Sequence, residues 1–135
     1  MRGIYSLSPI RRKIIAMDLT TSARDNGITV MKLSGRMDIE GTGKIDLQLN
    51  VATTEERAYL IADLSDVGFM SSIGIGALVR VAKAVRRRGG NLVLLNPQPV
   101  VRLVLEKTGI PELMSIHDTI DAASAAVRSE LKKPS

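Results

Sequence analysis

An α/β fold, a mixed sheet of four or five strands with about four helices packed on it, is predicted by three features of the chain. Two short apolar runs, Tyr59-Leu60-Ile61-Ala62 and Leu92-Val93-Leu94-Leu95, have the length and composition of strands buried on both faces. Between them Ile75, Leu78, Val79, Ala82 and Val85 recur at spacings of three and four, with Arg80, Lys83, Arg86 and Arg87 on the opposite side, as in an amphipathic helix. From Lys44 onward helical and strand patterns alternate, which favours parallel pairing through crossovers, with an early hairpin added at one edge.

The chain has 135 residues, the size of one domain with a single core. Tyr5, Tyr59 and Phe69 are its only aromatic residues, so that core must be built from Ile, Leu, Val, Met and Ala. No apolar stretch approaches the roughly 20 residues needed to span a bilayer, and no signal-peptide h-region is present, so no direct membrane insertion is expected. Absence of cysteine excludes disulfides and thiol catalysis and fits a cytoplasmic location. The net charge of +5 sits in the ends: residues 18–127 carry 12 Lys or Arg against 13 Asp or Glu. With no aromatic residues interleaved among the basic ones, nucleic-acid binding is poorly supported and solvating basic tails are the plainer reading.

Taken in order, residues 1–17 show no sustained period, contain Pro9 and read as a flexible basic extension before a domain spanning 18–131. Leu19 to Arg24 is polar. Asp25-Asn26-Gly27 is a turn signal, and Ile28 to Leu33 alternates apolar and polar residues, so a hairpin is expected. Gly41 and Gly43 open a loop before Lys44–Ala52, where two periods compete: Ile45, Leu47, Leu49 and Val51 alternate like a strand, whereas Ile45, Leu49 and Ala52 share one helical face. After the central helix, Arg86-Arg87-Arg88 complements a helix C-terminus and Gly89-Gly90 supplies its stop. Pro99 to Thr108 reads as a short helix ended by Gly109, Ser115 to His117 as a small strand, and Asp118 to Leu131 as the last helix, leaving Lys132–Ser135 as a tail.

The segment Asp63-Leu64-Ser65-Asp66-Val67-Gly68-Phe69-Met70, followed by Ser71-Ser72-Ile73-Gly74-Ile75-Gly76, resembles the STAS domains of bacterial anti-sigma factor antagonists. In that family a strand ending Asp-Leu-Ser-x-Val-x-Phe-Met is followed by Asp-Ser-Ser-Gly-Leu-Gly and a helix. Phe69-Met70 and Gly74-Ile75-Gly76 fix the register from both sides, so the resemblance puts Ser72 at the position of the phosphorylated serine. Ser71 then stands where the family has Asp, and Ile73 where it has a second Ser. Gly35-Arg36-Met37-Asp38 is similar to the family's Gly-x-Leu-Asp, whose Asp lies near the phosphoserine loop. The likeness runs from about Gly27 to Val127, and it implies the STAS fold, an edge strand within Leu19–Arg24 and a helix at Lys44–Ala52.

By the same resemblance the chain is an anti-anti-sigma factor. It would bind an anti-sigma factor serine kinase through Asp38 and the loop Phe69, Met70, Ser71, Ser72, Ile73, Gly74, Ile75 and Gly76, and be released on phosphorylation of Ser72. A phosphatase would reset it, and a homodimer is conceivable. The alternative is a constitutive STAS subunit of a stress-sensing assembly or of a membrane lipid transporter. From position alone Ser72 is either an acceptor or an ordinary helix cap bonded to the N–H of Gly74 or Ile75, and Ser71 is a second candidate acceptor. Asp38 has a structural alternative too, that of ending a strand by bonding nearby backbone N–H groups.

Catalysis is not expected. Ser72-Ile73-Gly74 mimics half of a nucleophile elbow, but Met70 stands where its first glycine should be, and His117 and Asp118 are merely adjacent in sequence. Gly74-Ile75-Gly76 lacks the third glycine of a dinucleotide turn and reads instead as permitting close approach of the loop to a neighbouring chain. One His and no Cys leave no metal site to compose, and no cofactor is implied.

Overall fold

The computed structural model describes residues 17–54 and 57–129. The expected basic extension before Met17, Leu131 of the last helix and the Lys132–Ser135 tail lie outside these residues. Met17, grouped with the extension on sequence grounds, is buried in the main core.

A polar edge strand, β1 (Asp18–Ala23), runs antiparallel to β2 (Ile28–Met37), with Asp18 opposite Ser34 and Ala23 opposite Thr29. Their connection needs two left-handed residues, and it has Asn26 at φ 69° and Gly27 at φ 76°, the residue types that tolerate this conformation. Helix α1 (Ile39–Ala52) begins five residues before the expected Lys44. Its start is set by Asp38, whose carboxylate accepts the Gly41 N–H at 2.8 Å. Gly41 reads as a loop residue in the sequence, yet it is helical, and its missing Cβ leaves room for the Arg36 carbonyl.

Strand β3 (Tyr59–Met70) is 12 residues long, continuing well past the apolar run that announces it. Helix α2 (Ser72–Arg87) follows directly, then β4 (Asn91–Leu95), α3 (Pro99–Lys107), the two-residue β5 (Ile116–His117) and α4 (Ile120–Ser129). Among the described residues the sheet has five strands in the order β1-β2-β3-β4-β5, and every pair except β1/β2 is parallel. The mixed sheet with an N-terminal hairpin and four α-helices is therefore the expected architecture.

Alternate strand residues serve two separate cores. Leu60, Ala62, Leu64, Leu92 and Leu94 join Ile45 and Leu49 of α1, Leu78, Val81 and Val85 of α2, and Val101 and Leu105 of α3. Ile61, Val93 and Leu95 face the other way, onto Ala123 and Val127 of α4. Each fully buried Leu, Ile or Val contributes about 1.5–3 kcal/mol. Burial on both faces thus pins β3 and β4, and with them the turn that carries the two serines.

Beyond Asp63, β3 leaves ideal strand geometry twice. Lys32 is opposite Asp63 but Ser34 is opposite Asp66, and Gly35 is opposite Val67 but Arg36 is opposite Phe69. Each step puts one extra β3 residue against β2, a bulge. These bulges explain why Leu64, Val67 and Met70, spaced by three, are all buried on one face of a strand. They also turn Phe69 outward beside Arg36.

Candidate functional site

The turn from β3 into α2 is tied to the end of β2 by one residue. Ser71, extended at φ −96° and ψ 173°, donates its N–H to the Met37 carbonyl at 3.0 Å and its hydroxyl to the same oxygen at 2.8 Å. Its Oγ also accepts the Gly74 N–H at 3.4 Å, so Ser71 is the N-cap of α2. The cap that was the alternative role for Ser72 belongs to its neighbour. The reason is reach: an N-cap oxygen bonds the N–H two or three residues on while its own backbone is still extended, and Ser72 is already helical.

Ser72 is left exposed as the first residue of the helix, and its hydroxyl has no hydrogen-bond partner among the described residues. The N–H groups of the first turn of α2 have no carbonyl to bond within the helix and carry its positive dipole end. A free hydroxyl and a local preference for negative charge therefore coincide at Ser72.

Gly74 holds the turn flush against β2. A Cβ there would sit 2.8 Å from Met37 Cβ and 3.0 Å from the Met37 carbonyl oxygen, whereas a Cβ on Gly76 would meet nothing within 4 Å. The close approach in this turn is to β2 and is made by Gly74 alone. The space beside Gly74 is filled by Met37.

Around the serines the surface is part apolar and part charged. Phe69 is 38% exposed and Ile73 48%. The Arg36 guanidinium lies 4.3 Å from the centre of the Phe69 ring, and its Nε is 3.4 Å from Asp38 Oδ2. Arg36 thereby links the aromatic ring to the acidic cap of α1. The Gly41 N–H bonded to Asp38 holds its carboxyl below the usual carboxylate value; partial desolvation opposes this, and Arg36 adds to the lowering. Asp38 thus plays its structural part as a strand terminator and helix cap while sitting one residue from Met37, to which Ser71 is bonded.

Of the nine residues singled out in the sequence, Asp38, Phe69, Ser71, Ser72, Ile73 and Gly76 reach the surface. Met70, Gly74 and Ile75 are buried and support the turn from beneath. Arg36 and Ile39, the latter largely exposed beside Asp38, complete the surface and were not singled out. The alternation placing Arg36 and Asp38 on one side of the chain was readable, but the contact with Phe69 depends on the second bulge and was not.

The other sequence features are engaged elsewhere. Arg80 pairs with Asp46 at 2.8 Å and Arg86 Nε donates to Asn91 Oδ1 at 2.9 Å, so half of the basic stripe on α2 is used within the chain. His117 contacts Ser115 Oγ at 2.8 Å and Asp118 pairs with Arg102, so the two do not form a relay. His117 is level with Leu95, which is itself level with Asp63, two strands away from β3 and far along it from Ser72. Among the described residues no three His, Asp or Glu side chains converge as a metal site requires. Nor is any helix among them long and apolar enough to cross a membrane.

Comparison with known proteins agrees with this geometry. The chain is 25% identical over 93 residues to the anti-sigma F factor antagonist of Paenibacillus polymyxa, covering 68% of this chain and 80% of that protein. It is 28% identical over 100 residues to the anti-sigma-B factor antagonist of Bacillus subtilis, covering 74% of this chain and 90% of that protein. An anti-sigma factor antagonist from Mycobacterium paratuberculosis has the same fold, with a TM-score of 0.74 at 22% identity over 83% of this chain and 94% of the other. Residues 21–123 match the STAS domain model, and the chain belongs to the STAS domain family.

Proposed function

We propose that the chain is an anti-sigma factor antagonist that works as a partner switch, docking an anti-sigma factor serine kinase when unphosphorylated and leaving it when Ser72 is phosphorylated. The observation that carries this reading is the division of labour at the turn. Ser71 takes the structural bonds, and Ser72 presents an unbonded, exposed hydroxyl. The relatives named anti-sigma factor antagonists support the choice of partner.

In the step itself the kinase transfers the γ-phosphoryl group of magnesium-bound ATP to Ser72 Oγ. A kinase base takes the hydroxyl proton, and ADP leaves. Phosphorylation adds about −1.5 to −2 charge. At a helix N-terminus that charge is favoured by roughly 0.3–1 kcal/mol, so the fold stays as it is. A partner seated over Phe69, Ser72 and Ile73 must instead desolvate the dianion, at a cost of several kcal/mol. A loss of about 2.7 kcal/mol already weakens binding roughly a hundredfold. A phosphatase that hydrolyses the ester restores the docking form. All the chemistry belongs to the partners, none to this chain, and the exchange takes place in the cytoplasm.

The test is a pull-down with this chain as bait, with ADP or ATP present, to capture an anti-sigma factor serine kinase, followed by phosphopeptide mapping. The Ser72→Ala chain should retain the kinase, the Ser72→Asp chain should lose it, and label should appear at Ser72. Label confined to Ser71 would overturn the assignment of the acceptor. Equal retention of one partner by both variants would make the chain a constitutive subunit.

A further inference from the structure

The outer face of α1 is apolar where a solvated helix should be polar. Ile39 and Leu47 are each 74% exposed and Val51 is 60% exposed, and among the described residues no element covers them. With Gly43 they recur every fourth residue, so they form one stripe, opposite the Ile45 and Leu49 face that packs on the sheet. The neighbouring α2 shows the ordinary pattern, with Arg80, Lys83 and Arg87 outside. This second stripe produces the strand-like alternation at Ile45, Leu47, Leu49 and Val51, since a helix that is apolar on both sides mimics a period of two. Of its residues only Ile39 adjoins the surface around the serines, and the proposed switch makes no use of Gly43, Leu47 or Val51.

We propose that this stripe is the interface of a dissociable homodimer, in which α1 packs antiparallel against α1 of a second copy about a two-fold axis at Gly43. The stripe is self-complementary about that residue. Ile39 and Leu47 lie four positions to either side, so the Ile39 of each copy meets the Leu47 of the other. Gly43, whose missing Cβ faces nothing within 4 Å, lets the two backbones approach. A two-fold axis brings the same flank of both helices together. On the flank shared by Glu40 and Lys44, each copy's Lys44 then faces the other copy's Glu40. Both side chains are exposed and neither is in an ion pair among the described residues, so the charges are available to fix this arrangement.

The stripe is small beside the roughly 800 Å² per partner of a stable interface, so the dimer exchanges with monomer. Sedimentation of the full chain from about 10 μM to 1 mM tests this. Self-association should weaken at least tenfold in Leu47→Glu, with an unchanged Tm because the site is exposed. Lys44→Glu and Glu40→Lys should each weaken it, and the double exchange should restore it. A chain monomeric at 1 mM, a dimer indifferent to Leu47→Glu, or a charge exchange without rescue would overturn the proposal. So would a Leu47→Glu chain that self-associates normally but loses its kinase, which would assign the face to that partner. These outcomes are read without phosphorylating Ser72, so they stand or fall apart from the switch.

Discussion

Ser71 and Ser72 are chemically identical neighbours that the turn makes unlike. Replacing Ser71 by Ala removes a cap and the hydroxyl bond to Met37, and should cost about 1 kcal/mol, within a range of roughly 0.5–2. Ser72→Ala should stay within about 0.5 kcal/mol of the parent, since its hydroxyl makes no bond to lose. Urea unfolding of the two variants separates them, and an equal loss would show that the capping assignment is mistaken. Asp38 supplies a pH signature. Its carboxyl is lowered chiefly by the Gly41 N–H, so its stabilisation is full above the ordinary carboxylate pKa and disappears as pH falls through the lowered folded value. Asp38→Asn should flatten the acid limb of a Tm-against-pH curve and leave its shape near neutrality unchanged.

At the level of elements, the β3–α2 joint depends on a glycine only where another strand presses against it. Gly74→Ala drives a Cβ into Met37 and should destabilise the chain by about 1–3 kcal/mol, as overpacking does. Gly76→Ala has open space and gains helix propensity, so it should be neutral or stabilising by up to roughly 1 kcal/mol. Comparing the two by thermal melting isolates the contact from the backbone preference, because both glycines lie in the first turns of the same helix. Had both substitutions been equally harmful, helix geometry rather than the approach to β2 would be the constraint. The two bulges in β3 are the companion device: they keep Leu64, Val67 and Met70 inward while delivering Phe69 to the surface.

For the whole molecule, the sheet is a packed platform and the proposed switch would act only at its rim. The first half of β3 is buried on both faces, against α1, α2 and α3 on one side and α4 on the other, and Ser72 is exposed at the far end, so charge added there has no packed surface to disturb. Ser72→Asp should therefore melt at the parent's temperature or a few degrees above it, the helix dipole supplying roughly 0.3–1 kcal/mol. A Tm lowered by several degrees in differential scanning calorimetry would mean that modification loosens the fold, and the blocked-interface mechanism would fail.

Element order, the parallel core of the sheet and the place of the serine pair were legible in the sequence, because local periodicity reports which residues must be buried and Phe69-Met70 with Gly74-Ile75-Gly76 fixes the register. The early start of α1 was not, since Gly41 looks like a loop until the Arg36 carbonyl beside it is seen. Nor was the choice of Ser71 as cap, which hangs on a bond to Met37, 34 residues away in the chain. The pairing of Arg36 with Phe69 likewise exists only because two bulges shift β3 against β2. Patterns of burial are written along the chain; which of two adjacent hydroxyls is bonded and which is left free is settled only when distant strands are brought side by side.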